Sequence, residues 1–319
     1  LNYPKHNKEW MSIVRRPIRA EGRCVVECDY KSFHALTLGY EAKSPRYMRM
    51  ARLDMHSFFA ATQLLNLYKA DVLEKESDAN LMLLFKELRR DETPRFHGKT
   101  FEEVRGKEAK PTGLGVGFGM QVNTLYENNE ESFRDLHHAG MVHGAYLELW
   151  HEIKKYQESI TETADRQGYL TSKHGFTRWF HCVFQKRPRR PGEWLRPGMV
   201  CRSTRNGDWI ISPGDDHEAA IAFLPANDAF GMIRQALLRL EQPDNEWGER
   251  FWIAIPLHDA IIAFPRWEDR DLCLHVMKTE MERMSDILKM PDGSGLWCEV
   301  ETLASGRNEG WDKVKEVRL

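Results

Sequence analysis

Two aspartates stand where short apolar runs come to an end. Asp259 lies in Ile255-Pro256-Leu257-His258-Asp259-Ala260-Ile261-Ile262-Ala263-Phe264, between two runs rich in Ile and Ala, and Asp29 follows the short β-branched run of Cys24-Val25-Val26-Glu27-Cys28-Asp29-Tyr30. An acid at the tip of a buried hairpin reaches the surface, where a metal-binding carboxylate is useful. Asp is also a favoured turn residue on conformational grounds alone, so His258-Asp259 by itself reads first as a turn. The second acid changes the weighing. Two carboxylates at the ends of neighbouring strands could share a pair of divalent ions, the arrangement that serves in-line phosphoryl chemistry.

A second cluster lies in Arg105-Gly106-Lys107-Glu108-Ala109-Lys110-Pro111-Thr112-Gly113-Leu114-Gly115-Val116-Gly117-Phe118-Gly119-Met120. Four glycines in seven residues are costly inside a helix and suit a place where another backbone or a flat ligand approaches closely. The spacing is neither that of a Walker loop nor GxGxxG, so phosphate cradling and close helix packing stand at even odds. Lys107 and Lys110 fall one turn apart if the stretch is helical, and together could meet a triphosphate.

The elements that must position these groups come from a chain of 319 residues, 41% hydrophobic and 29% charged, enough to bury a sizeable core in one large domain or two subdomains. Lys plus Arg (46) nearly balances Asp plus Glu (48), so any polyanionic partner must be met by local patches. The six Cys form no CxxC pair, which argues against a zinc knuckle or a disulfide framework and for a reducing, cytoplasmic setting. No run of membrane-spanning length and no basic-then-apolar leader is present, and the Leu at position 1 suggests a segment of a longer protein.

In chain order, a polar, basic leading segment gives way to a strand over Arg23 to Asp29. A helix then starts near Ser32, a plausible cap. Asp54 to Ala60 opens a second helical stretch, Glu74 to Arg90 is an amphipathic helix, and Glu131 to Tyr169 is helical. Residues 185–208 break that pattern with prolines, a basic cluster (Lys186, Arg187, Arg189, Arg190) and the hairpin dipeptide Asn206-Gly207, which together imply a small β excursion whose bases either touch a phosphate backbone or sit on a solvated loop. A helix over Glu218 to Leu240, interrupted near Pro225, leads to a hairpin over Phe251 to Phe264. A helix over Asp271 to Leu288 and a strand over Trp297 to Leu303 close the chain.

Taken together, these stretches resemble the palm and fingers of family A DNA polymerases, the group of bacterial DNA polymerase I and many phage replicases. Asp29-Tyr30-Lys31-Ser32 sits where the first catalytic motif reads Asp-Tyr-Ser-Gln, and Asp54-x-His56 matches the Asp-Ile-His that follows it. Lys110, with Phe118-Gly119 eight residues on, is similar to the fingers helix. Gly168-Tyr169-Leu170-Thr171 with Gly175-Phe176-Thr177-Arg178 resembles the Gly-Tyr-Val-x-Thr and Gly-Arg-Arg run. His258-Asp259 fits the third motif, His-Asp-Glu. Gly306 with Gly310-Trp311-Asp312 resembles the closing Gly-x-Asn-Trp, and Leu1-Asn2-Tyr3-Pro4 faintly resembles the palm start. The matches are short but fall in the family's order from end to end.

The resemblance implies an α+β fold, with a right-hand palm of antiparallel sheet and flanking helices and mostly helical fingers. Its expected domains are palm at 1–44, fingers at 45–180, a β-rich insertion at 181–217 and palm again at 218–319. It implies DNA-directed DNA synthesis from dNTPs on primer-template DNA, possible replisome or processivity partners, and no membrane. Asp29, Asp259 and the Tyr30 carbonyl would hold two Mg²⁺, for which Mn²⁺ can substitute. Lys110, Arg105, Lys107, Phe118, His34 and Gly115 would meet the nucleotide, and His258, Asn227, Arg178 and Arg16 the primer and template. The departures are specific. His34 replaces the Glu that screens the sugar 2′ position, Gly106 the Arg before the fingers Lys, and Ala260 the Glu of His-Asp-Glu. Glu218 and Ala222 stand where Arg and Asn would be, with Asn227 a substitute for Gln. A ribonucleotide-using polymerase or primase-like enzyme is the second reading, and a non-catalytic primer-template-binding module the third.

Overall fold

The computed structural model describes residues 15, 18, 21–94, 98–195, 199–205, 207–242 and 246–319. Strand β1 (Val26–Tyr30) is followed by helices α1 (Phe33–Glu41), α2 (Pro45–Leu53) and α3 (Met55–Phe59), the last running into a π-helical turn at Ala60–Leu64. Next come α4 (Ala70–Leu73), α5 (Asp78–Arg90), α6 (Phe101–Val104), a second π-helical turn (Arg105–Ala109), α7 (Lys110–Val116), α8 (Val122–Glu127), α9 (Leu136–Leu149) and α10 (His151–Gln167). Strands β2 (Tyr169–Thr171), β3 (Thr177–Trp179), β4 (Phe184–Pro188), β5 (Val200–Thr204) and β6 (Gly207–Pro213) precede the long helix α11 (His217–Leu240). The chain ends with α12 (Trp247–Phe251), β7 (Ile253–Leu257), β8 (Ala260–Ala263), α13 (Arg270–Met281), β9 (Val300–Ala304) and β10 (Lys315–Glu316). This is an α+β chain with antiparallel sheets. Among the described residues no helix is long and apolar enough to cross a membrane.

Residues 1–33 and 227–319 form one compact unit and 34–226 the other. These divisions fall inside α1 and α11, against the boundaries of 44/45 and 217/218 expected from the sequence.

The first unit is built on a five-stranded antiparallel sheet in the order β10-β9-β1-β8-β7. β1 is the central strand, and its residues are nearly all buried, Glu27 among them, because a paired neighbour lies on each side. Helix α13 packs on β1 and β9 through Cys273, Leu274, Met277 and Met281. The Tyr30 hydroxyl, buried there, donates to the Met281 carbonyl at 2.5 Å.

The second unit is mostly helical around Tyr47, Phe58, Phe59, Phe101, Tyr146 and Trp150. Two prolines shape it. Pro111 has no N–H for the Lys107 carbonyl and its ring crowds that carbonyl, and the helix widens to a π turn over Arg105–Ala109 immediately before it. Pro225 lies within α11, which runs unbroken from His217 to Leu240 instead of being interrupted. The carbonyl it leaves without a helical donor is that of Ile221, and the Tyr156 hydroxyl supplies the bond at 3.0 Å. A side-chain donor thus offsets the proline's missing one.

Other departures from the sequence reading have local causes. Ser32 stands at φ 51, a left-handed turn rather than the extended backbone of a cap. The helical stretch expected over 131–169 breaks at Trp150 into α9 and α10. Helix α13 stops at Met281 rather than Leu288, because the Ser285 side chain accepts from the amides of Ile287 and Leu288 and its own amide donates to the Leu296 carbonyl. The β excursion is a three-stranded sheet, β4-β6-β5, and Gly207 opens β6 at φ 104.

Candidate active site

The two aspartates meet through the backbone of the first unit. Strand β1 pairs with β8 so that Asp29 stands opposite Ala260, and the next amide along, Tyr30 N–H, donates to the Asp259 carbonyl at 3.0 Å. Asp259 ends the tight turn between β7 and β8, in which His258 takes φ 53 and is exposed. Asp29 and Asp259 are both half-buried, and one oxygen of the Asp29 carboxyl is itself buried. The strand beneath Asp29 is held on every side. The Tyr30 ring stacks on Phe33 at 4.2 Å, and Glu27, two residues before Asp29, accepts from the Trp311 indole at 2.5 Å. The Arg15 guanidinium lies 4.0 Å from the Trp311 ring centroid and 3.8 Å from Glu27. Burial pushes the Tyr30 phenol and the Cys28 thiol far above their usual values, so neither titrates near neutrality.

A third acid in this setting is one the motif comparison passed over. On the other flank of β1, strand β9 sets Glu301 opposite Asp29. Directly opposed residues share a sheet face, so Asp29 is flanked there by Ala260 on one strand and by a half-buried glutamate on the other. The signal was the alternation Glu299-Val300-Glu301, which needs the register before it points anywhere.

Among the described residues, no three His, Cys, Asp or Glu side chains converge as a metal cage. The donors at the end of β1 suit a different demand. Mg²⁺ is bound through one or two carboxylates, retains water and takes the rest of its ligands from substrate phosphates, and Asp29, Asp259 and the Tyr30 carbonyl are oxygen donors of that kind.

In the second unit, Lys110 is exposed at the start of α7 and carries no ion pair among the described residues. The His34 ring meets Phe118 edge-on, with centroids 6.4 Å apart. Lys107 is exposed and pairs with Glu103 at 3.7 Å. Arg105 is engaged elsewhere: its guanidinium meets Asp54 at 3.0 Å, Glu102 at 3.1 Å and the Ser57 hydroxyl at 3.0 Å. Asp54 also caps α3 by accepting from Ser57 N–H. Burial raises its carboxyl, but Arg105 and the Ser57 amide outweigh burial and hold it below the usual carboxylate range. Burial pushes His56 down to about 4, and its ring occupies the space a Cβ on Gly113 would enter, 2.8 Å away.

The glycine series is mainly a packing device, the second of the two readings. A Cβ at Gly115 would lie 2.7 Å from the Met120 sulfur, and one at Gly119, at φ 93, would lie 2.5 Å from Ile221. Gly115 is therefore buried against Met120 rather than open to a ligand. Arg178 lies on β3 with its guanidinium 5.3 Å from the Phe180 centroid, Asn227 is half-buried on α11, and Arg16 lies outside the described residues.

No family model and no curated protein matches the sequence. Among solved structures the chain is similar to the polymerase domain of Pol1 from M. smegmatis in complex with DNA primer-template and dNTP, with a TM-score of 0.64 and 17% identity. The match covers 98% of this chain and 44% of that one, so this chain spans less than half of its structural neighbour. At that identity the likeness concerns architecture: the chain has the fold of a polymerase domain.

Proposed function

We propose that the chain carries the nucleotidyl-transfer site of a template-directed DNA polymerase of the family A kind, joining dNTPs to a primer 3′-hydroxyl. The observation that carries the reading is the Tyr30–Asp259 backbone bond, which ties two half-buried aspartates from opposite ends of the sequence into one strand pair. The polymerase fold of the whole chain supports it. The first unit would correspond to the palm and most of the second to the fingers.

Asp29, Asp259 and the Tyr30 carbonyl would hold two Mg²⁺, which when bound acidify the primer hydroxyl and neutralise charge on the triphosphate. Asp29 and Asp259 orient the reacting groups and supply fixed negative charge. Lys110, which carries no ion pair among the described residues, takes the β and γ phosphates. Lys107 is a secondary cation, while Arg105 acts through Asp54 and Ser57 as a brace for the helix that carries Lys110. Phe118 offers its ring to the nascent base pair with His34 at its edge, and His258 reaches the primer terminus from the exposed turn. Glu301 stands in for the acid absent at Ala260.

Primer extension by the intact protein tests the reading. Replacing Asp29 or Asp259 with Ala is expected to abolish nucleotide addition, and retained extension in either variant overturns the assignment. Incorporation of dNTPs against NTPs decides the sugar, where His34 favours a weaker screen than an acid would give.

A further inference from the structure

The stretch from Arg166 to Gly214 contains ten Lys and Arg and two acids, Glu193 and Asp208, a net +8 in a chain whose total is −2. Such a local field fits a polyanion, and what distinguishes it is the aromatic surface within it. In the β2–β3 hairpin, Tyr169 is paired with Trp179 and Thr171 with Thr177, so these four side chains share one face. Trp179 is 64% and Tyr169 38% exposed, with ring centroids 5.1 Å apart. A tryptophan this bare beside a second ring, in a segment rich in cations, offers unpaired bases a surface to stack on.

The following sheet extends the positive surface. Its register puts Phe184, Lys186, Val200, Arg202 and Ile211 on one face, and this face walls a cleft of about 860 Å³. The opposite wall includes α10, whose last turn carries Arg166, three residues before Tyr169. Glu158 and Glu162 stand on that helical wall, and Asp165 is paired with Lys186 at 2.7 Å. The glutamates share that wall with Lys154 and Arg166, and the sheet wall contributes Arg202 as a contact for phosphates. Hairpin and cleft both belong to residues 34–226.

We propose that the β2–β3 hairpin and the β4-β6-β5 sheet form a platform for single-stranded DNA, with bases stacked on Trp179 and Tyr169 and the backbone led past Arg202 on the cleft face of the sheet. Naming DNA rests on the polymerase reading above, and the platform would take the unpaired template. Of the basic cluster at 186–190, Lys186 lies on the cleft face, paired with Asp165, while Arg187 lies on the opposite face, paired with Glu193.

Fluorescence anisotropy of a labelled oligothymidylate with the intact protein, without primer or nucleotide, reads the platform alone. The single strand is expected to bind more tightly than a duplex of equal length. Trp179→Ala should weaken it by about 5- to 150-fold, the loss of one stacked base, and Trp179→Phe should restore most of the affinity. Arg202→Gln should flatten the slope of log affinity against log salt by about 0.7. Equal binding by Trp179→Ala and the wild type, or by duplex and single strand, overturns the proposal. Extension over a template with a single unpaired nucleotide reports the polymerase site separately. If that fails while Trp179-dependent binding persists, the polymerase reading falls and the platform stands; if it succeeds while binding ignores Trp179, the platform alone falls.

Discussion

The Tyr30 amide donates to the Asp259 carbonyl at 3.0 Å, so residues 229 positions apart in sequence are neighbours in one strand pair. The bond fixes where the β7–β8 turn sits along β1, and hence which acids share the end of the sheet. A one-residue slip would send Asp29 to the packed face, against α13. The following expectations depend on that register.

Asp29→Asn and Asp259→Asn remove one charge each with little change in shape. Both residues are half-buried in a well-paired sheet, so thermal stability should move by no more than about 1 kcal/mol. Turnover in primer extension should fall by at least about 1,000-fold, the loss of several kcal/mol of charge stabilisation. A fall in activity that tracks a fall in melting temperature would point to unfolding instead.

Glu301→Gln separates a carboxylate facing Asp29 from a merely solvated strand residue. With Glu301 supporting the acidic end of the sheet, the Mn²⁺ concentration for half-saturation, read by electron paramagnetic resonance without substrate, should rise about tenfold. An unchanged titration would make Glu301 a bystander. Ala260→Glu in the same background should recover part of the loss, since positions 260 and 301 flank Asp29 on one face.

His56 gives the second unit a pH-dependent stability. Burial depresses its folded-state pKa from 6.5 to about 4, so the unfolded chain takes up its proton first as pH falls. Stability from the neutral ring is therefore full above about 6.5, declines as pH drops and is exhausted near 4, by about 3 kcal/mol at most. Asp54 acts in the same direction at lower pH, its lowered carboxyl losing its contribution as acid reaches the folded value. Urea midpoints of His56→Gln should lose most of the slope between pH 6.5 and 4, whatever the variant's absolute stability.

Tyr156→Phe leaves the Ile221 carbonyl without its donor, and Pro225 cannot provide one. The expected cost is about 1–2 kcal/mol by denaturant unfolding. In a Pro225→Ala background the restored amide can bond that carbonyl, so the same substitution should cost less. Additive effects in this double-mutant cycle would disprove the compensation.

The chemistry-bearing residue types were visible in the sequence because they interrupt patterns. Asp29 and Asp259 end apolar runs that fold as β1 and lead into β8, and Asn206-Gly207 marked the sheet that contains β5 and β6. The order of the elements followed from local periodicity, which is a property of neighbours along the chain, and the α+β class came with the resemblance that the short motifs carry. Local pattern could not say which of two functions the glycines serve, because that depends on His56 against Gly113 and Ile221 against Gly119, both arriving from elsewhere. Nor could it find that Arg105 is committed to Asp54, that Pro225 is tolerated inside α11 through Tyr156, or that Glu301 faces Asp29. Composition and alternation are encoded residue by residue. Register, burial and the identity of a buried group's partner are fixed only when distant segments pack, and the tertiary structure alone decided them.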